Sequence, residues 1–169
     1  GEWSKKAFQE AKRFGSVDST SASSEAQKFA KLPQIGPVAS DLAYLHLTTN
    51  NTIEGTQFQS FPETGGVPLV ADASSDFLAL ERPWSKLSCV YAGAQKNLGP
   101  AGVTAVVMKK SFLEQASEDV PAILSYKNHA KADSLYNTPP AFSIYALGLV
   151  LEWIEEQGGV AAVEKQNRK

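Results

Sequence analysis

Two polar side chains in this chain follow apolar segments, and an amine together with a carboxylate could carry out chemistry. Lys96 follows the apolar segment 87–91 by five residues, and Asp72 follows segment 69–71. An amine at the end of a buried strand points into a crevice, where partial removal from water favours its neutral, nucleophilic form. A carboxylate in such a place is costly unless it finds a partner. The plainer interpretations are a solvated surface lysine and an aspartate bonded to nearby serine hydroxyls.

An aspartate after one strand and a lysine after the next form the pair that pyridoxal 5'-phosphate (PLP) enzymes of fold-type I require. The carboxylate of Asp72 would keep a pyridine nitrogen protonated, which makes the ring an electron sink. The amine of Lys96 would bond the aldehyde carbon. Gly93 and Ala94 are small and leave room for a flat ring. The pair is consistent with a PLP site at the end of these two strands, and the plainer interpretations of both residues stay open at this point.

The elements that must position this pair are predicted from the hydrophobic pattern. Four short apolar segments bounded by turn residues are typical of strands in a mainly parallel or mixed sheet that is covered on both faces; they are 43–48, 68–71, 87–91 and 103–108. Residues 4–14 predict a helix that Ser4 caps, and 142–156 predict an apolar helix in the core. Residues 16–40 predict a loop. The fold class is therefore α/β, with helices sandwiching the sheet in three α/β/α layers.

Composition excludes several other classes of protein. Hydrophobic residues make up 43% of the chain and charged residues 20%, and the net charge of -2 leaves no basic footprint for nucleic acid. No apolar run is long enough to predict a membrane span. The single cysteine, Cys89, cannot form an internal disulfide, and no Cys/His cluster has the spacing of a metal site. We expect no metal and a reducing compartment: the cytoplasm, or a plastid if a transit peptide was removed.

Several blocks of the sequence resemble the phosphoserine aminotransferases, a family of class-V, fold-type I PLP aminotransferases. The similarity is collinear from Trp3 to the last residues, and its most specific motifs are Gln-Lys-Asn and Tyr-Asn-Thr-Pro-Pro. The blocks that carry it are VADASS at 70–75, YAGAQKNLGPAGVT at 91–104, LYNTPP at 135–140, NTIEG at 51–55 and GLVLEWI at 148–154. One departure is Asn51, where the family usually has an acidic residue, outside the chemistry.

The resemblance implies a role for each matching residue. Lys96 corresponds to the lysine that forms the Schiff base with PLP and then acts as general base in proton transfer. Asp72 corresponds to the partner of the pyridinium nitrogen, and Trp3 to the indole stacked on the ring. Thr52 corresponds to a hydroxyl that bonds the ring oxygen, and Gln95 to an amide on the phosphate side. Taken alone, a tryptophan at a helix start would be core filling and a threonine in a turn would be unremarkable.

The resemblance also implies a homodimer with shared active sites. Asn137 and Thr138 correspond to residues that reach the phosphate of the neighbouring subunit's cofactor. The implied reaction moves nitrogen between glutamate and 3-phosphohydroxypyruvate, giving phosphoserine and 2-oxoglutarate in serine biosynthesis. Residues 1–169 then form the cofactor-binding large domain of a PLP-dependent transferase. That domain is expected to lack its upstream phosphate cradle, the substrate-binding arginines and the small C-terminal domain.

Two alternatives remain open from the sequence. The chain could belong to another fold-type I enzyme, such as a desulfurase or a glyoxylate-using aminotransferase, although the Tyr-Asn-Thr-Pro-Pro motif favours the phosphoserine branch. It could also be a truncated product that folds and dimerises without turnover. A substrate panel and the absorbance of bound PLP discriminate among these alternatives.

Overall fold

A computed structural model describes residues 1–19 and 29–169 of the chain. Its strands are β1 (Leu45–Thr48), β2 (Asn50–Asn51), β3 (Thr56–Gln57), β4 (Leu69–Asp72), β5 (Cys89–Gly93) and β6 (Thr104–Met108). Its α-helices are α1 (Glu2–Ala11), α2 (Ala94–Asn97), α3 (Lys110–Glu114), α4 (Tyr126–Lys131), α5 (Ala141–Glu156) and α6 (Val160–Asn167). Short 3-10 turns lie at Trp84–Lys86 and Ala122–Leu124.

The central sheet is mixed, as the apolar segments predicted. Its order is β1-β4-β5-β6, with the first three strands parallel and β6 antiparallel to β5. Each of the four predicted strands is present, with its ends shifted by at most two residues. Strands β2 and β3 form a separate two-stranded hairpin directly after β1. The α/β class is confirmed.

Alternation along the strands separates a core face from a site face. Register pairs Leu45 with Leu69 and Leu47 with Ala71, and Ala71 with Val90. These five side chains point to the same side and form the main buried cluster. Because side chains alternate along a strand, residues one position away point to the opposite face, which carries the polar groups described below.

The start of α1 differs from its prediction. Ser4 does not cap the helix, which begins at Glu2 with Gly1 as its N-cap and ends at Ala11. The Ser4 hydroxyl instead donates to Asn51 Oδ1 at 3.3 Å. This contact joins α1 to the β2–β3 hairpin, a long-range pairing that a local capping rule does not foresee.

The prediction that the apolar helix near the C-terminus lies in the core is wrong for most of its surface. Helix α5 begins at Ala141, one residue from the prediction, but Phe142 is 77% exposed and Tyr145 is 64% exposed. Only Ile154 of α5 is buried, and Leu147 contacts the small cluster beneath α2. One side of this helix packs on the segment between β5 and β6, so apolar content alone does not determine its burial.

The predicted loop is confirmed where the structure describes it. Residues 16–19 and 29–40 contain no helix or strand, and the rest of the predicted loop, 20–28, lies outside the described residues. No helix in the described part of the chain has both the length and the apolar character to cross a lipid bilayer.

Candidate functional site

The candidate site lies where the three parallel strands end. At that edge register aligns Thr48 of β1 with Asp72 of β4, and Asp72 with Tyr91 of β5. A cavity of about 160 Å³ opens there. Its lining residues are Trp3, Thr48, Asn50, Asp72, Ser74, Ser75, Gln95 and Lys96. The carboxyl edge of parallel strands is where ligands bind in open α/β sheets.

Lys96 is presented by a short helix that two apolar residues hold down. Ala94 and Leu98 are buried beneath α2, and the Ala94 amide donates to Val103 O of the returning chain at 2.9 Å. Gln95 and Lys96 are therefore left on the outer side of α2, facing the cavity. Both are exposed, so the predicted desolvation of the amine is not met within the described residues.

Asp72 is half-buried at the end of β4, and its own loop orients its carboxylate. Oδ1 accepts a hydrogen bond from the Ser74 amide at 2.9 Å. The two serine hydroxyls that offered a plainer interpretation bond elsewhere: Ser74 Oγ accepts from the Gly93 amide, and Ser75 Oγ donates to Asn50 O. The carboxylate thus lines the cavity, caps the turn after β4 through Oδ1 and is bonded by neither serine hydroxyl.

Trp3 lies over the lysine and is anchored by a threonine. The Lys96 ammonium is 5.3 Å from the centroid of the indole, and Trp3 Nε1 donates to Thr52 Oγ1 at 3.2 Å. The Glu2 amide donates to Glu54 Oε1 at 2.8 Å, a second contact from the start of α1 to the same hairpin. Helix α1 is therefore fixed at one wall of the cavity, with its indole facing the amine.

Thr48 is a site residue to which the sequence assigned no role, although it opens the polar stretch 48–52 after the first apolar segment. Its hydroxyl oxygen is buried and has no hydrogen-bond partner, although the residue lines the cavity beside Asp72. An unsatisfied buried hydroxyl costs free energy, so its presence here suits a polar ligand group. The only sequence signal was its place as the last residue of an apolar run.

His46 and Tyr91 form a hydrogen-bonded pair on the site face of the sheet. His46 Nε2 lies 3.0 Å from Tyr91 OH, with the rings stacked. Burial lowers the pKa of His46, and the nearby Asp72 carboxylate opposes that shift. Burial raises the pKa of Tyr91 well above its ordinary value, and the charge of Asp72 adds to this effect. His46 is thus a half-buried residue whose ring nitrogen has a hydrogen-bond partner.

Asn137 and Thr138 stand apart from the other predicted site residues. Both are exposed, neither lines the cavity, and Asn137 Nδ2 donates to Thr138 O at 3.3 Å. The cavity thus collects Trp3, Asp72, Gln95 and Lys96, with Thr52 attached through the indole. Among the described residues no group of three His, Cys, Asp or Glu side chains could hold a metal ion.

A larger cleft of about 340 Å³ lies at the opposite edge of the sheet. Lys86, Ser88 and Lys109 are among its lining residues, and none of the predicted site residues is. The Lys86 ammonium is already paired with Glu63 Oε1 at 2.7 Å. The cleft is therefore spatially separate from the lysine, carboxylate and indole.

The mixed α/β sheet carries a lysine after one strand, an aspartate at the end of its parallel neighbour and an indole that lines the same cavity. This arrangement is typical of the fold-type I class of PLP-dependent proteins. The model of the family "Aminotransferase class-V" matches residues 1–169, and the chain belongs to this family.

Named relatives are phosphoserine aminotransferases. The Bacillus subtilis protein is 54% identical over 170 residues, which cover 100% of this chain and 47% of that protein. A solved structure of the enzyme from Bacillus circulans subsp. alkalophilus has a TM-score of 0.95 at 46% identity, covering 99% of this chain and 47% of that one. A solved structure of the PLP-bound enzyme from Trichomonas vaginalis has a TM-score of 0.90 at 38% identity, and the match covers 99% of this chain and 50% of that one. The chain spans about half the length of the curated relatives it matches.

Proposed function

We propose that residues 1–169 are the cofactor-binding large domain of a PLP-dependent phosphoserine aminotransferase. The observation that carries the proposal is the placement of the Lys96 amine, the Asp72 carboxylate and the Trp3 indole around one cavity. The substrate assignment is supported by sequence identities of 54% and 52%, over essentially the whole of this chain, to enzymes of that name. The reaction would move an amino group between glutamate and 3-phosphohydroxypyruvate, in the serine biosynthetic route.

The residues around the cavity fit PLP on structural grounds. Thr48 offers a buried hydroxyl without a partner, Asp72 offers an anion half-buried at the cavity wall, and Trp3 offers a flat apolar surface. A pyridinium ring needs an anion at its nitrogen and benefits from an aromatic face above it. Lys96 would hold the aldehyde carbon, and Gln95 the phosphate side.

Each side chain then has a distinct task. When bound, PLP supplies an aldehyde that takes up an amino group and a ring that accepts electrons. Asp72 keeps a proton on the ring nitrogen, because a nearby anion favours the charged pyridinium. Lys96 would hold the cofactor through its amine, and the same amine, when free, would accept and return a proton beside the aldehyde carbon. Trp3 and Thr52 keep the ring in one plane so that these transfers occur at fixed distances.

A homodimer is part of the same proposal. Asn137 and Thr138 are exposed and outside the cavity, which suits residues that reach a site on a second subunit. The exposed apolar surface of α5, which follows them directly, supports burial against another polypeptide surface. We place the protein in a reducing compartment such as the cytoplasm, because its one thiol, Cys89, is free and buried.

The test is covalent capture of PLP by the natural full-length polypeptide. Wild-type protein should show a visible-range absorbance band after incubation with PLP, and borohydride should fix the cofactor to Lys96 as seen by peptide mass. Lys96→Ala should lose the band. The exposed Lys165→Ala, on α6, is the matched control and should keep it. A band that persists in Lys96→Ala would exclude Lys96 as the attachment point.

A substrate panel separates the reactions. The turnover rate with phosphoserine and 2-oxoglutarate should be at least tenfold higher than the rate with alanine and glyoxylate, and at least tenfold higher than the rate with cysteine alone. Preference for either competitor would replace the phosphoserine assignment with another fold-type I reaction. A band without any turnover in the full-length protein would exclude the aminotransferase assignment.

A further inference from the structure

A buried ion pair lies behind the candidate site and is not used by the chemistry described above. Asp76 is 2% exposed and Arg82 is 8% exposed, and their side chains meet at 2.5 Å between Arg82 Nη2 and Asp76 Oδ2. Removing two charges from water costs several kcal/mol per ion, and a hydrophobic pair of similar size is often as stable. The ion pair therefore contributes mainly through the geometry that it imposes on the segments it joins.

The Asp76 carboxylate joins three segments of the chain. Besides Arg82, it accepts hydrogen bonds from the Gln57 amide nitrogen at 2.9 Å and from the Thr49 hydroxyl. Thr49 directly follows β1, Gln57 belongs to β3, and Asp76 lies four residues beyond Asp72. One carboxylate thus binds the end of β1, the β2–β3 hairpin and the loop that leaves β4.

Thr49 extends this connection to the backbone of Asp72. Its amide donates to Asp72 O at 2.9 Å, and its hydroxyl, which bonds Asp76, lies 3.2 Å from the same carbonyl. On the hairpin side, Arg82 Nη1 donates to Phe58 O at 2.6 Å. The ion pair therefore reaches the strand that presents Asp72 through Thr49, and it bonds directly to the hairpin that presents Thr52.

The two segments that this network joins also form two walls of the cavity. Asp72 forms one wall, and Thr52 holds the Trp3 indole that forms another. None of the four network side chains, Thr49, Gln57, Asp76 and Arg82, lines the cavity itself. Directional hydrogen bonds restrict the arrangement of a buried charged cluster, although Arg82 Nε has no hydrogen-bond partner among the described residues.

We propose that Asp76 and Arg82 are positioning residues that fix the spacing between the Asp72 carboxylate and the Trp3–Thr52 wall. This inference rests on the proposed PLP function. Weakening the cluster lets the hairpin and the β4 loop separate, so the ring binds with its nitrogen less well aligned to the carboxylate. The loss appears in PLP affinity and in the spectrum of the bound cofactor.

The experiment titrates PLP into the natural full-length protein and its variants. Asp76→Asn keeps the shape and removes the charge, and is expected to raise the dissociation constant about tenfold, as for loss of a charge-assisted bond. Gln57→Met removes only the bond from the hairpin and should raise it about two- to fivefold. In both variants the pH midpoint of the bound-PLP absorbance should shift, because ring protonation depends on the distance to Asp72.

Controls separate positioning from general destabilisation. Leu69→Ala empties part of the core on the opposite face of β4 and should lower the melting temperature without shifting that pH midpoint. Glu63→Gln breaks the exposed ion pair with Lys86 and should change neither property. Gln57→Met is the milder variant and keeps the inference testable if Asp76→Asn fails to fold.

The possible outcomes are distinct. Unchanged affinity and midpoint in Gln57→Met and in folded Asp76→Asn would overturn the positioning role alone. A midpoint shift in Leu69→Ala as large as in the network variants would also overturn it. Wild-type protein that does not bind PLP would overturn the proposed function, and the positioning role with it.

Discussion

The hydrogen bond from the Trp3 indole to Thr52 offers a quantitative test of the site. Trp3→Phe keeps an aromatic face over the cavity but removes the N–H that donates to Thr52 Oγ1 at 3.2 Å. A net hydrogen bond contributes about 0.5–1.5 kcal/mol. Trp3 is 37% exposed and Thr52 is exposed, so the lower part of this range, about 0.5–1 kcal/mol, applies here. The bond holds the indole in place before the ligand arrives.

That free energy corresponds to about a two- to fivefold rise in the PLP dissociation constant. Trp3→Ala also removes the stacking surface, which adds about 0.5–1.5 kcal/mol, for a total rise of about five- to seventyfold. Thr52→Val removes the acceptor and retains the shape of the side chain. Because both single substitutions break the same bond, Trp3→Phe combined with Thr52→Val should cost no more than the larger single effect.

The assay is equilibrium titration of PLP into apo full-length protein, followed by absorbance and by quenching of tryptophan fluorescence in proteins that retain Trp3. Additive effects in the double substitution would show that the two residues act independently, which would refute the proposed bond. Equal affinities of wild type and Trp3→Ala would refute the stacking role. Phe14→Ala, which alters an exposed aromatic residue just beyond α1, is the control and should match wild type.

Three further outcomes follow from Asp72, His46 and Cys89. Asp72→Asn keeps the shape and removes the charge, so PLP binding should weaken and transamination should fall by about three orders of magnitude, measured by steady-state kinetics; near-normal turnover would exclude its role. Burial lowers the pKa of His46 below its ordinary 6.5, so the unfolded chain binds more protons than the folded chain. The free energy of unfolding, measured with urea, should therefore fall as the pH drops below 6.5. His46→Gln should reduce the slope of that free energy against pH by up to about 1.4 kcal/mol per pH unit, and an unchanged slope would contradict this. Burial raises the pKa of the Cys89 thiol, so it should resist a disulfide reagent in the native protein and react fully in denaturant, and fast native labelling would contradict its burial.

The sheet and the central pair could be predicted from the sequence because their signals are local. Short apolar segments bounded by turn residues identified all four strands of the central sheet. The rule that parallel strands end at one edge then places Asp72 near Lys96. Gln95 was predicted only from the resemblance, although it is adjacent to Lys96 on α2. Trp3 and Thr52 depended on resemblance, since neither residue type at its position indicates a cofactor.

The features that could not be predicted depend on contacts between distant residues. Thr48 and Thr49 are adjacent and chemically identical, yet one faces the cavity without a partner and the other joins a buried carboxylate. Asp76 and Arg82 look like ordinary loop charges six residues apart. The exposure of α5 was missed because apolar content does not specify how much of a helix the sheet covers. Lys96 proved exposed because α2 turns its side chain outward.

The antiparallel return of β6 has a consequence for access to Lys96. The stretch between β5 and β6 is closed at its base by the bond from Ala94 to Val103, and Leu98 and Gly99 both donate to Ala94 O inside it. Buried Ala94 and Leu98 anchor its floor. These contacts hold the backbone that carries Lys96 in place, so the amine adjusts its position in the cavity by rotation about the bonds of its own side chain.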